Sequence, residues 1–228
     1  MKIGSEEWKN IIIQGAKVFD VNVGLKEVEQ FSIHAVELLK WNLKINLTAI
    51  TDPFEVAVKH FLDSIASAGI IPAGSSMLDI GSGGGFPGIP LKIIIPNLSL
   101  TLLDSSRKKI TFLKHVIRTI GIENIEALQV RAEELAQGTK MFDVIICRAF
   151  SSLEQYVGSA LPLLAPDGLI ISLKGKIDPV ELQSIRVSDD RKQGNGKISG
   201  LLIDIKIKKY FLPYIDSERT LIIIKKLR

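Results

Sequence analysis

The sequence predicts a doubly wound, mostly parallel α/β sheet that ends in a C-terminal antiparallel hairpin and follows an N-terminal helical cap. Three observations carry this. Up to about residue 70 the apolar residues recur at helical spacing, with no strand-like alternation. From Ser75 onward, short apolar runs alternate with helical stretches, the pattern of strands buried on both faces. Between Met77 and Pro90 an apolar run passes directly into Gly81, Gly83 and Gly85, with Gly84 among them. A glycine turn at the carboxyl end of a strand is where such sheets bind ligands.

Taken in order, the cap comes first. Val28, Phe31, Ala35, Leu38 and Leu39 share a helical face, and Trp41, Leu43 and Leu47 extend it. Asp52-Pro53 supplies an N-cap and a proline at the first helical position, opening a helix to about Ser67. Parallel strands are expected at 77–80, 98–103, 125–130, 144–147 and 169–173, with helices at 87–95, 106–120, 132–136 and 152–164. Residues 175–199 are polar and read as a flexible surface loop. Two last strands, 201–211 and 219–226, lie so close in sequence that they must pair antiparallel. The chain thus divides into a cap, 1–70, and an α/β domain, 71–228.

Composition narrows the function classes. Apolar residues make up 46% of the 228, enough for a full core. Lys+Arg number 29 against 25 Asp+Glu, a net charge of +4 that permits a polyanionic partner without demanding one. Cys147 is the single cysteine, which excludes internal disulfides and cysteine zinc sites. His34, His60 and His115 have no metal-ligand spacing, so no metal is expected. No signal peptide or membrane-length apolar stretch is read, and the chain is expected to be cytoplasmic.

The glycine turn poses the question of which nucleotide it holds. Gly81 and Gly83 fit the dinucleotide fingerprint, but Phe86 stands where the third glycine or alanine belongs, followed by Pro87 and Pro90. No Gly-Lys-Ser/Thr follows, so a Walker A loop is excluded. S-adenosyl-L-methionine, which has no pyrophosphate, suits the looser loop, and five parallel strands closed by an antiparallel hairpin match the sheet plan of enzymes that use it. Asp104 ends the next strand, where a carboxylate can accept both ribose hydroxyls. That position serves NAD equally, and a helix-capping role is the plain alternative. Ala132 and Glu133 follow the third strand, near where adenine lies in this fold class. An acidic first helical turn explains Glu133 and Glu134 as well.

At this point the chain resembles the RsmG (GidB) family of bacterial small-subunit ribosomal RNA guanine-N7 methyltransferases. The resemblance runs through Trp41-Asn42, Asn46-Leu47-Thr48, Lys59-His60-Phe61-x-Asp63-Ser64, the glycine loop with Phe86-Pro87-Gly88-x-Pro90, and Leu103-Asp104-Ser105. It continues through Arg131-x-Glu133-Glu134, Arg148-Ala149-Phe150, Leu173-Lys174-Gly175 and Asp216-x-Glu218-Arg219. It implies S-adenosyl-L-methionine contacts at Gly81, Phe86, Asp104, Ala132-Glu133 and Arg148, with Gly83 in the same loop. It also implies a target guanine, at position 527 in standard RNA numbering, in the 530-loop of 16S ribosomal RNA, met as free RNA or in a small-subunit particle. No obligate protein partner is implied.

Guanine N7 carries a free lone pair and no proton, so its methylation needs no general base, and positioning supplies the acceleration. No catalytic acid–base pair is accordingly assigned. Arg148 and Lys174 are the positioning candidates, because each ends an apolar strand and is expected to face one crevice. Cys147 reads as a buried small hydrophobe rather than a nucleophile. RNA-holding candidates are Arg107, Lys108, Lys109, Lys114, Arg131, Arg148, Lys174 and Arg219, with Arg148 open to the cofactor carboxylate, a phosphate or the base, although spacing alone makes the 107–109 run a solvated helix face. Phe150 is a stacking candidate, and His60 reads as a core or surface histidine of the cap. A small-molecule methyltransferase and a non-catalytic assembly factor remain the rival readings.

Overall fold

The computed structural model describes residues 1–148, 152–175, 195–198 and 201–227. Three helices build the cap. The first, α1 (Glu6–Ala16), starts where the Ser5 side chain accepts from the Trp8 N–H and carries Glu6 and Glu7 in its positive first turn. The second, α2 (Leu25–Asn42), buries Val28, Phe31, His34, Ala35 and Leu38 along one face. The third, α3 (53–65), opens at Pro53 with Asp52 as its cap, passes through a π-helical stretch at Val56–Leu62, and closes with Asp63–Ile65. Phe61 on that stretch meets Trp8 at 5.8 Å and Phe31 at 4.8 Å, ring to ring.

The sheet follows. Its parallel strands are β1 (Ser76–Ile80), β2 (Ser99–Leu103), β3 (Ile125–Leu128), β4 (Phe142–Arg148) and β5 (Leu164–Lys174). Then come β6 (Asn195–Ile198), β7 (Leu201–Phe211) and β8 (Glu218–Lys226), all antiparallel to their neighbours. The order across the sheet is β3-β2-β1-β4-β5-β8-β7-β6. Four helices connect the parallel strands: α4 (Gly88–Ile94), α5 (Arg107–Ile120), α6 (Ala132–Leu135) and α7 (Leu153–Ala160). Strand order reverses beside β1, which pairs with both β2 and β4, so the ligand crevice of such a sheet opens at their carboxyl ends.

Both faces of the sheet are covered. On one, Trp8, Phe31 and Phe61 of the cap share a continuous core with Phe112 of α5 and Val144 and Ile146 of β4. On the other, Leu153, Tyr156 and Val157 of α7 pack on Leu78, Ile145, Cys147 and Ile170. The cap is therefore a layer on one sheet face, and it reaches the end of β4 through α3.

Two elements differ from expectation. Residues 195–198, placed in a polar loop, form the edge strand β6, because the β7 edge offers unpaired backbone groups that even a polar segment can satisfy; residues 176–194 of that loop lie outside the described residues. The helix expected at 152–164 ends at Ala160, continues as a 3-10 turn at Leu161–Leu163, and gives way to β5 at Leu164. Pro162 caused this: it cannot continue the α-helical ladder. Among the described residues, no helix is long and apolar enough to cross a membrane.

Candidate functional site

The glycine turn lies between β1 and α4 and is anchored from both ends. The Ser82 hydroxyl bonds the Asp79 carbonyl at 2.8 Å and accepts from the Leu103 N–H at 3.0 Å, clamping the ends of β1 and β2 together. The Gly81 N–H donates to the Leu103 carbonyl at 2.8 Å. Gly81 has φ +75°, and a Cβ built there meets no atom within 4 Å. Open space above a left-handed backbone is the cradle that a nucleoside-bearing ligand needs and that a side chain fills. Gly88 is a glycine for a different reason. A Cβ there comes within 2.6 Å of Asp79 Oδ2 and 2.7 Å of Leu102 Cδ2, so α4 packs directly on β1 and β2.

Two carboxylates flank the turn. Asp79 is fully buried; its Oδ2 accepts from the Gly88 N–H at 2.9 Å, while Oδ1 has no partner. Burial pushes this carboxyl up to about 7, against the pull of the Gly88 bond and of Arg148. Asp104, also buried, accepts from the Gly83 N–H at 3.1 Å and the Ser106 N–H at 2.8 Å, with Lys109 Nζ at 3.7 Å. It closes a local turn across two residues instead of capping α5, whose N-cap is Ser106. A carboxylate held against the glycine loop in this way retains lone pairs for hydroxyl donors.

The other wall is aromatic and basic. Phe86 is sandwiched between two imidazoles: His34 stacks at 4.6 Å and 12°, and His60 at 4.5 Å and 14°. Arg148 Cζ lies 5.2 Å from the Phe86 ring centroid. Arg148 Nη1 donates to the Lys59 carbonyl and Nη2 to His60 Nδ1, at 2.9 and 2.8 Å. Both acceptors belong to the π-helical stretch, a device that offers carbonyls outside the ordinary helical ladder. Asp63 stands 3.7 Å from Arg148 and 3.6 Å from Arg219, and accepts from the Tyr210 hydroxyl at 2.7 Å. Burial pushes the Asp63 carboxyl up, opposed by Arg148, Tyr210 and Arg219. His34 donates from Nε2 to the Gly84 carbonyl at 2.8 Å, and burial lowers it to about 4, so the ring is neutral.

The structure brings together Gly81, Gly83, Phe86, Asp104 and Arg148 around the ends of β1, β2 and β4. It places Ala132 in the core on the α7 face, while the Glu133 carboxylate accepts from Ser159 at 2.6 Å. Arg148 and Lys174, expected to face one crevice, end adjacent strands with their side chains on opposite sheet faces. Arg148 meets the cap, whereas Lys174 pairs with Thr220, two residues beyond Ser172, which bonds Cys147 on the α7 face. Adjacent strand ends in register still alternate their side chains, and Arg148 is in register with Leu173. Arg107, Lys108, Lys114 and Arg131 are exposed, Lys109 leans to Asp104, and Arg219 is tied to Asp63 and Ser217. Cys147 is buried and its thiol is pushed up to about 12 by burial, so it carries no thiolate at neutral pH. Ala149 and Phe150 lie outside the described residues.

Sequence reasoning read His60 as a core or surface histidine and gave Asp63, Thr48 and Tyr210 no role. The signal was in the motifs around them, but only the fold shows that they converge on Arg148.

A parallel sheet whose strand order reverses at β1, with an open glycine turn and a buried carboxylate just after the next strand, defines the fold of S-adenosylmethionine-dependent methyltransferases. A solved structure of that fold, TrmN from Thermus thermophilus, superposes with a TM-score of 0.53 at 16% identity, covering 83% of this chain and 52% of that one. The chain belongs to the GidB family, rRNA small subunit methyltransferase G, whose pattern matches residues 27–193. A protein named ribosomal RNA small subunit methyltransferase G from Thermoanaerobacter sp. (strain X514) is 40% identical over 222 residues, 95% of this chain and 89% of its own length. One of the same name from Geobacter sulfurreducens is 39% identical over 213 residues, 93% of this chain and 94% of that protein.

Proposed function

We propose that this protein transfers a methyl group from S-adenosyl-L-methionine to N7 of a guanine in the 530-loop of 16S ribosomal RNA, in the cytoplasm. The observation that carries the reading is the open backbone at Gly81, at the end of β1, with Asp104 following β2 on one side and Arg148 ending β4 on the other. Gly81 and Gly83 present bare backbone. Asp104 accepts the ribose hydroxyls, the backbone at Ala132 and Glu133 reads the adenine edge, and Arg148 holds the amino-acid carboxylate. Bound there, S-adenosyl-L-methionine supplies a sulfonium-activated methyl group.

The chemistry asks little more of the chain. The N7 lone pair forms the new N–C bond as the C–S bond breaks, positive charge passes to the base, and no proton moves. A buried, neutral Cys147 offers no nucleophile, which suits this reaction. Alignment can provide on the order of 7–11 kcal/mol of the barrier reduction. In an A-form helix the N7 edge lies in a deep, narrow groove, so the substrate guanine must sit in a loop or leave its stack. Arg107, Lys108, Lys109, Arg131, Lys174 and Arg219 are the cations proposed to hold the RNA backbone.

Incubating the protein with methyl-labelled S-adenosyl-L-methionine and either deproteinised 16S RNA or small-subunit particles tests this. Label is expected on guanine in one of the two substrates. Label on other bases, or on neither substrate, defeats the proposal, and activity indifferent to ribonuclease points to a small-molecule substrate.

A further inference from the structure

We propose that His60 is a positioning residue for Arg148, and that Asn42 and Thr48 hold His60 in the one orientation that serves it. The helical cap thereby builds one wall of the crevice. This rests on the reading of Arg148 as a cofactor-binding residue.

The hydrogen-bond directions leave no freedom. A guanidinium only donates, so the bond from Arg148 Nη2 makes His60 Nδ1 the acceptor. The ring proton is then on Nε2, 2.9 Å from Thr48 Oγ1. Thr48 Oγ1 also accepts from the Ile50 N–H at 2.9 Å. Thr48 is in turn fixed by Asn42, whose Oδ1 accepts from the Leu47 and Thr48 N–H groups and whose Nδ2 donates to the Thr48 carbonyl, all within 2.9 Å. A chain of bonds, each with one possible sense, therefore runs from the end of α2 to the end of β4.

The ring plane is set independently by the stack on Phe86. Protonating His60 would set an N–H against a guanidinium. Burial first, then Arg148 and His34, lowers the imidazole to about 2. The charged group facing it is Arg148, with Asp63 across the guanidinium and neutral His34 beyond Phe86; the Lys59 ammonium beside it in the chain is paired with Glu55. A histidine used only to fill core needs neither the acceptor at Nδ1 nor the Asn42–Thr48 brace. Together they account for the Asn-Leu-Thr and Lys-His-Phe motifs, which the glycine turn alone leaves unexplained.

Two measurements test this. Nitrogen-15 NMR of the imidazole is expected to show His60 as the Nε2–H tautomer, with no titration between about pH 5 and pH 8. A proton on Nδ1, or an ordinary titration in that window, overturns the proposal. Calorimetry with S-adenosylhomocysteine then compares variants. His60→Phe keeps the stack and removes the acceptor, and is expected to weaken binding about 10- to 100-fold. His60→Asn sets a carbonyl near the Nδ1 position and is expected to recover most of the loss. Equal affinity in wild type and His60→Phe overturns the proposal, as does a loss in His60→Asn as large as in His60→Phe. If the wild type itself fails to bind S-adenosylhomocysteine, the cofactor reading fails, and the tautomer still decides whether His60 orients Arg148.

Discussion

Replacing Asp79 with Asn isolates the cost of a carboxyl group buried at the floor of the crevice with one oxygen unpartnered. The folded protein holds this carboxyl at about 7 against 3.8 in the unfolded chain. The proton therefore binds more tightly to the folded state. That contribution to stability is fully present below about pH 4 and is lost as pH rises through about 7. At about 1.4 kcal/mol per unit the whole swing is about 4 kcal/mol, of which about 2.5 falls between pH 5 and pH 8. Asparagine keeps an acceptor for the Gly88 N–H and mimics the neutral acid at every pH. Urea unfolding of both proteins without cofactor at pH 5, 6, 7 and 8 reads the difference directly. The stability of Asp79→Asn relative to wild type should rise by about 2.5 kcal/mol across that range. A difference that stays flat, or one that falls with pH, refutes the argument.

Gly88→Ala forces a methyl against Asp79 and Leu102 and should destabilise by about 2–3 kcal/mol in denaturant unfolding; an unchanged midpoint would contradict the close packing of α4. Gly81→Ala adds a methyl in open space at a left-handed backbone. It should cost about 1–2 kcal/mol of stability yet weaken S-adenosylhomocysteine binding tenfold or more, and unaltered binding speaks against a cofactor over Gly81. Cys147→Ala should lose about 1 kcal/mol of stability and retain full methyl transfer, because the thiol is buried and protonated; loss of turnover in a folded variant would call for a nucleophile.

The strand-and-helix plan was legible because the buried strands are continuous apolar runs, and the ends of β7 and β8 were nearly read off their spacing. The left-handed turn at Gly81 and the place of Asp104 at the end of β2 were legible because backbone geometry and strand position constrain them locally. The edge strand β6 was not, since polar residues at an edge carry no apolar alternation. Nor was His60: its role depends on Arg148, far away in the chain, and on a π-helical turn that leaves no periodic signature. Lys174 is a different case. Its place at a strand end was read correctly, but the pleat turns it to the face opposite Arg148.

The function of the protein turns on the identity of the methylated atom. Purified protein, S-adenosyl-L-methionine and 16S RNA or small-subunit particles, followed by nucleoside mapping by mass spectrometry, measures it directly. A single 7-methylguanosine, located in the 530-loop fragment, is expected. A methyl group on any other base or atom, or a 530-loop fragment of unchanged mass from both substrates, would contradict it.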